Sequence, residues 1–548
     1  MRLLNVHTQQ LEEFHGKTIP KYVIVSHTWG KEEVTFADIT SIYSATNHAQ
    51  LDLLSPDTFH GQAQEIRVKA KAGYAKIQHA CSTAKNAGYK YVWIDTCCID
   101  KSSSSELSEA INSMFRWYQQ ADLCYAYLDD VVHTEHKTMM SKSRWFTRGW
   151  TLQELLSPSK ITFYGTNFRF IASKTYLADQ ISQITGIEKR ALLETGYIKL
   201  CSIAQRMSWA ANRETTREED MAYSLMGIFG VNMPLLYGEG PNAFIRLQEE
   251  IMKNSDDQSI FAWKPRVEPS TEPRTCSILA STPDDFSEAR SISPIPNKLA
   301  TIPYNMTNQG LQINLPLVPV NDKDLPDSHK FYVGILTCQD ENDLSKWLGI
   351  SLMGTANTNV LVRLVGPSLG LLRLTPAQVS QGQVQTVYIL KDETKASIAI
   401  DYKTCWVKSD SAKDLGYRVT STRPRSWQWN KESQVMRIQN EGKPSTAQFF
   451  FTSPEFQTEF EVVLRYKENW EIFDIFIRCD RHKSVNHFKT DKSIGASLVS
   501  RLEKKESEVR IPMYISVKAC EEEVLNQSVI VIDITLEAGE RAESQPLS

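Results

Sequence analysis

Tyr91-Val-Trp-Ile-Asp-Thr-Cys-Cys-Ile-Asp-Lys101 decides the fold. Its first four residues are apolar without alternation, the texture of a strand buried on both faces. A helical pattern precedes it over 71–87, closed by Gly88, and another follows from Ser103. Ser103 and Glu106 have the spacing of a capping box, after which Leu107, Ala110, Ile111, Met114 and Tyr118 recur on one helical face. Working outward, Tyr22-Val-Ile-Val-Ser26, Leu123-Cys-Tyr-Ala-Tyr-Leu128 and Ile161-Thr-Phe-Tyr164 have the same buried-strand texture. Strands alternating with helices at this spacing predict a parallel sheet covered on both faces.

Beyond the fourth strand the pattern over 176–253 is helical. Thr216 and Glu219 are spaced as a capping box ahead of Met221-Ala-Tyr-Ser-Leu-Met-Gly-Ile-Phe229. Gly240-Pro241 predicts a helix start, with Phe244, Leu247 and Ile251 on one face. Three prolines and mixed charge mark 264–275 as a linker. After it, Leu311–Leu315, Val360–Leu364, Phe460–Leu464 and Val529–Leu536 read as strands, several with period-two alternation. Turn-forming clusters such as Asn321–Asp327 separate such stretches. The expected organisation is an α/β domain over 1–263, a linker, and a β-rich, sandwich-like region over 276–548.

Composition narrows the function. The 548 residues carry a net charge of −4, which gives no electrostatic reason to expect nucleic acid or an anionic membrane. Arg423-Pro-Arg-Ser-Trp-Gln-Trp429 mixes basic and aromatic residues, but in an acidic chain it reads as a loop packed by its tryptophans. No apolar run approaches the roughly 18 residues that span a bilayer, and the start lacks the apolar stretch of a secretory signal. Ten cysteines without a framework, two of them adjacent at Cys97 and Cys98, predict free thiols in a cytoplasmic setting.

Chemistry-bearing residues collect where the strands end, the place where ligand sites form in such sheets. Ser26, His27, Thr28 and Trp29 close the first strand, and Asp95 follows the second. Ser143-Arg-Trp-Phe-Thr-Arg-Gly-Trp-Thr-Leu-Gln-Glu-Leu-Leu156 adds a short helix. At 100° per residue Leu152, Leu155 and Leu156 share one side, while Glu154 falls near Trp150 on the other, toward a groove or water. Two readings of these residues stand side by side. In one, Glu154 is a solvated carboxylate, Asp95 caps a turn and His27 is a satisfied core histidine. In the other, ring, imidazole, hydroxyls and carboxylates form a pocket for a sugar–base ligand.

The ordered set Tyr22–Gly30, Gly73-Tyr-Ala-Lys-Ile77, Tyr91–Lys101 and Arg144–Leu156 resembles the fungal heterokaryon-incompatibility (HET) domain. The likeness continues through Arg213–Ile228, Leu236-Tyr-Gly-Glu-Gly240 and Asp256–Trp263, so it covers about residues 1–263. It implies a role in non-self recognition between fungal individuals, where the domain triggers growth arrest and cell death. HET domains are in turn similar to Toll/interleukin-receptor (TIR) domains, flavodoxin-like modules of which many cleave NAD with a glutamate in a Trp-Cys-x-x-Glu-Leu helix. Trp150-Thr-Leu-Gln-Glu-Leu155 resembles that motif, with Thr151 in place of the cysteine. The resemblance therefore implies Glu154 as the catalytic residue, with Ser26, His27, Thr28, Trp29, Asp95 and Trp150 around NAD as substrate and no metal or cofactor. Self-association through the domain, and a NOD-like or other incompatibility partner, are implied with it. TIR relatives also include assembly adaptors that cleave nothing, which keeps a non-enzymatic scaffold as the alternative.

Overall fold

A computed structural model describes residues 1–49, 56–266, 274–295, 303–320, 329–355, 359–366, 369–391, 402–423, 429–430, 434–439, 445–454, 459–467, 472–479, 482–483, 486–490, 493–503, 510–524 and 527–538. Most of the expected linker, the Asn321–Asp327 turn cluster and most of Arg423–Trp429 lie outside these residues. The chain forms two compact units, one of residues 1–318, 334–351 and 364–386, the other of 319–333, 352–363 and 387–548.

The first unit contains a sheet of seven strands: β1 (Arg2–Asn5), β2 (Leu11–Glu13), β3 (Val23–His27), β4 (Tyr91–Ile94), β5 (Leu123–Tyr127), β6 (Ile161–Gly165) and β7 (Arg169–Ser173). They lie in the order β2-β1-β4-β3-β5-β6-β7. The four strands read from the sequence are the parallel centre, with β4 and β5 on either side of β3 and β6 beyond β5. Antiparallel strands finish both edges, the β1–β2 hairpin beside β4 and β7 beside β6. Helices α1 (Phe36–Ala49), α2 (Pro56–Lys69), α3 (Ala72–Asn86), α4 (Asp95–Cys98), α5 (Ser104–Gln120), α6 (His136–Met139) and α7 (Thr151–Leu156) intervene.

Period-two alternation sorts the sheet into two chemically different faces. Ile24 and Ser26 share one face with Trp93, Cys124, Ala126 and Phe163, as the strand register requires. Trp93 meets Trp117 and Tyr118 of α5 edge-on, and Phe163 meets Trp145. On the other face stand Val25, His27, Tyr125, Tyr127 and Tyr164. Phe168 stacks on Tyr127 and Tyr164 there and is itself stacked by His79 of α3. Helices therefore cover both faces, α5 on one and α3 on the other.

Local signals fare unevenly. The Ser103 hydroxyl accepts from the Glu106 amide, but the Glu106 carboxylate binds the Asp100 amide and Arg2 instead of closing the box. The Thr216–Glu219 box does not form. The helix over Glu218–Tyr223 is capped at Arg217, and Glu219 turns to the amides of Gly238 and Gly240. The predicted helix after Gly240 spans Asn242–Met252, with Phe244, Leu247 and Ile251 buried and Pro241 one residue outside its first turn.

Among the described residues the second unit is strand apart from a short helix at Asp410–Asp414 and connecting segments. A seven-stranded sheet includes Tyr402–Lys408, Gln527–Ala538, Arg510–Val524 and Ser493–Glu503; a five-stranded sheet includes Ser445–Thr452, Glu459–Tyr466 and Ile472–Cys479. Alternation along the last strand sends Ile530, Ile532, Ile534 and Leu536 into one core with Phe449, Phe451 and Val462 of the other sheet. The expected strands around Phe460–Leu464 and Val529–Leu536 are both present. All ten cysteines are free thiols. Among the described residues no helix is long and apolar enough to cross a membrane.

Candidate functional site

Every residue of α7 is buried, so the expectation that Glu154 faces a groove or water is corrected. Six residues are too few for a helix to stand alone, and neighbours grip both of its ends. Arg213, itself buried, donates from Nη1 to the Arg148 carbonyl (2.9 Å) and Thr151 Oγ1 (3.1 Å), and from Nε to the Trp209 carbonyl (3.1 Å). Burial pushes its guanidinium down to about 9, which leaves it charged at neutral pH. At the other end the Lys174 ammonium donates to the carbonyls of Pro158 (2.8 Å) and Leu155 (3.3 Å). It fills acceptors that a helix end leaves open and complements the negative end of the dipole. Lys174 is pushed down to about 8 by its burial.

Glu154 has only 7% of its surface exposed and lies on the Ser26 face of the sheet. Trp145 Nε1 donates to Ser26 Oγ (2.8 Å), and the Ser26 hydroxyl donates on to Glu154 Oε2 (2.5 Å). The Tyr118 hydroxyl is shared between the Val25 carbonyl (3.1 Å) and the Glu154 carboxyl. Burial, reinforced by the charge of Asp95, pushes the Glu154 carboxyl up to about 8, against the opposing hydrogen bonds from Ser26 and Tyr118. Glu154 is thus a protonated acid at neutral pH.

His27 points to the opposite face. Its ring, 1% exposed, has Nε2 3.9 Å from Glu33 Oε1 and 3.8 Å from Asp95 Oδ1, both beyond hydrogen-bond reach. Neither ring nitrogen has a partner. Burial, then the cation of Lys76, holds the imidazole well below its usual range, so it is neutral. Glu33 is occupied by Lys76 Nζ (2.6 and 2.8 Å) and the Gly30 amide (2.7 Å). Asp95 accepts from Trp29 Nε1 (2.8 Å), and the Lys101 ammonium sits 3.5 Å from the centre of that indole and 3.7 Å from Asp95. Trp29 is 50% exposed.

The predicted residues are therefore divided among four places. Ser26 meets Glu154; His27, Trp29 and Asp95 form a second cluster, with Asp95 felt by Glu154 as well. Thr28 leans toward Asp129 (3.4 Å), which Arg144 also pairs. Trp150 departs from the others: its partner is Asp220, which also accepts from Tyr237 (2.9 Å). Glu33, Lys76, Lys101, Trp145 and Tyr118 were not foreseen as members of these clusters. Lys76 alone left a signal, a lysine among the buried positions of α3, beside Gly73, Ile77 and Ala80.

Residues 22–143 match the family of the heterokaryon incompatibility protein (HET). Ser26, His27, Thr28, Trp29 and Asp95 fall within the HET match, while Trp150 and Glu154 lie beyond its end. Residues 242–407 match a domain of unknown function, DUF8212. The chain is similar to the vegetative incompatibility protein HET-E-1 of Podospora anserina, with 43% identity over 247 residues. That stretch is 43% of this chain and 16% of the relative's length. No solved structure matches the chain.

Proposed function

We propose that this chain is an incompatibility protein of fungal non-self recognition, and that its α/β unit is a TIR-like effector that triggers cell death by hydrolysing NAD. The β-rich remainder, a sandwich in this reading, senses the signal or restrains the effector, and assembly of the HET segment with copies of itself or an incompatibility partner switches it on. The family match and the incompatibility relative support the biological role. The environment of Glu154 carries the chemical one. A carboxyl kept protonated in a dry site, at the carboxyl ends of parallel strands, is poised for a cationic substrate.

NAD brings a pyridinium charge. Its approach favours the carboxylate, so Glu154 releases its proton as substrate binds. The carboxylate then stabilises the positive charge that develops on the ribose as the C1′–N bond lengthens. The bonding pair leaves with nicotinamide, which becomes neutral. Water adds its hydroxyl to C1′ and gives a proton to solvent, yielding ADP-ribose.

A second reading has its own support. α7 is buried throughout and Glu154 is hydrogen-bonded within the fold, so the acid serves as framework and the domain works by assembly alone. Nicotinamide release from NAD by the assembled full chain separates the two. Glu154→Gln keeps the shape and hydrogen-bonding pattern of the neutral acid. The hydrolase reading predicts a loss of about 10²–10⁴-fold in turnover with no fall in melting temperature. Absence of turnover in assembled wild-type protein would favour the scaffold.

A further inference from the structure

We propose that the His27 side of the strand ends is a subsite for a vicinal diol, the ribose hydroxyls of a nucleotide, with the base laid on the exposed ring of Trp29. This rests on the nucleotide reading above and assigns it a binding site distinct from Glu154.

The buried polar atoms carry the inference. His27 Nδ1 and Nε2 are without partners, and so is Thr96 Oγ1, one residue beyond Asp95. Dry, unpaired groups of this kind are costly and uncommon, so three at the ends of the neighbouring strands β3 and β4 mark an absent polar partner. A neutral imidazole offers one donor and one acceptor, a threonine hydroxyl offers both, and Asp95 Oδ1, 3.8 Å from the ring, offers an acceptor. Two adjacent hydroxyls, each donor and acceptor, match that set. A phosphate does not, because it only accepts and would face the carboxylates of Glu33 and Asp95. A metal ion fits no better. Lys76 and Lys101 already bring ammonium groups to the cluster, and among the described residues no metal-binding grouping is present.

Trp29 supplies the other half. Its indole is fixed at the edge by Asp95 and on one face by Lys101, yet half of it is exposed. An aromatic ring held this way is a stacking platform. Asp95 joins the two parts, with one oxygen on Trp29 and the other toward His27. Platform and hydroxyl site thus lie side by side, as base and 2′-hydroxyl do on neighbouring ribose carbons.

The test is binding, which needs no turnover. The full chain is titrated calorimetrically with AMP, 2′-deoxy-AMP and 2′,3′-dideoxy-AMP. AMP is expected to bind at least tenfold more tightly than the dideoxy compound, with 2′-deoxy-AMP between them. Trp29→Ala weakens all three alike, whereas His27→Phe removes the preference for hydroxyls. Thr96→Val, which keeps side-chain volume, reduces that preference and serves if the histidine variant does not fold. Equal affinity for the three probes, or no binding at millimolar concentration, overturns the subsite. NAD turnover without hydroxyl preference would overturn it while leaving the hydrolase reading intact, and hydroxyl preference without turnover would do the reverse.

Discussion

Ser26 and His27 are neighbours in the chain, yet strand alternation gives them opposite surroundings. On the Ser26 side hydrogen bonds run in sequence from Trp145 through Ser26 and Glu154 to Tyr118 and Val25, with Trp93 Nε1 the one named group on that face left unpartnered. On the His27 side two ring nitrogens and a threonine hydroxyl are buried without partners. A completed network holds a group in one protonation state and one geometry. An incomplete one carries a cost that a ligand would relieve. In the proposed function the two sides divide the work of the strand ends, a positioned acid on one and recognition on the other.

The most damaging way to break the comparison is to remove the grip on α7. Arg213→Met takes the donor from the Trp209 carbonyl and removes the tie from there to the Arg148 carbonyl and Thr151 Oγ1, and should cost about 3 kcal/mol or more, read as a large fall in melting temperature. A loss below about 1 kcal/mol would show that α7 is held by packing alone.

The second test uses pH. Glu154 rises from 4.5 to about 8 on folding, so the folded chain binds the extra proton between those values. Its contribution to stability is complete below about 4.5 and is lost as pH rises through about 8, at about 1.4 kcal/mol per pH unit. Glu154→Gln should abolish that slope, seen as the difference between the two denaturation curves at pH 5 to 8. Parallel curves would place the carboxyl near its ordinary value.

Smaller effects sharpen the contrast. Ser26→Ala removes a donor to the carboxylate, which should raise the Glu154 pKa further and cost about 1–2 kcal/mol. Thr96→Val deletes an unpartnered hydroxyl and should leave the melting temperature unchanged or slightly higher without ligand. A clear loss of stability in Thr96→Val would mean that the hydroxyl is already satisfied.

The four parallel strands were legible because both of their faces are buried and the continuous apolar runs say so. The β1–β2 hairpin was not, since Arg2–Asn5 and Leu11–Glu13 are short edge strands with mixed polarity. Glu154 was found as a residue, but its setting was misread. Helical periodicity assigns an apolar side to α7 and leaves the other to solvent, whereas Arg213 and Lys174, remote in sequence, enclose the whole helix. Trp150 shares that helical wheel and yet pairs with Asp220, a residue seventy positions away that no local pattern points to. The unsatisfied state of His27 is likewise a property of what surrounds it, not of the Ser-His-Thr-Trp stretch itself.

The central claim, that the buried acid Glu154 must lose its proton for chemistry on NAD, is tested most directly by the pH dependence of kcat/KM for nicotinamide release by the assembled full chain. The account predicts a rise of about tenfold per pH unit from pH 6 that levels near 8, the value for Glu154 in the free protein. A profile flat from pH 6 to 9, or one that falls across that range, would contradict it.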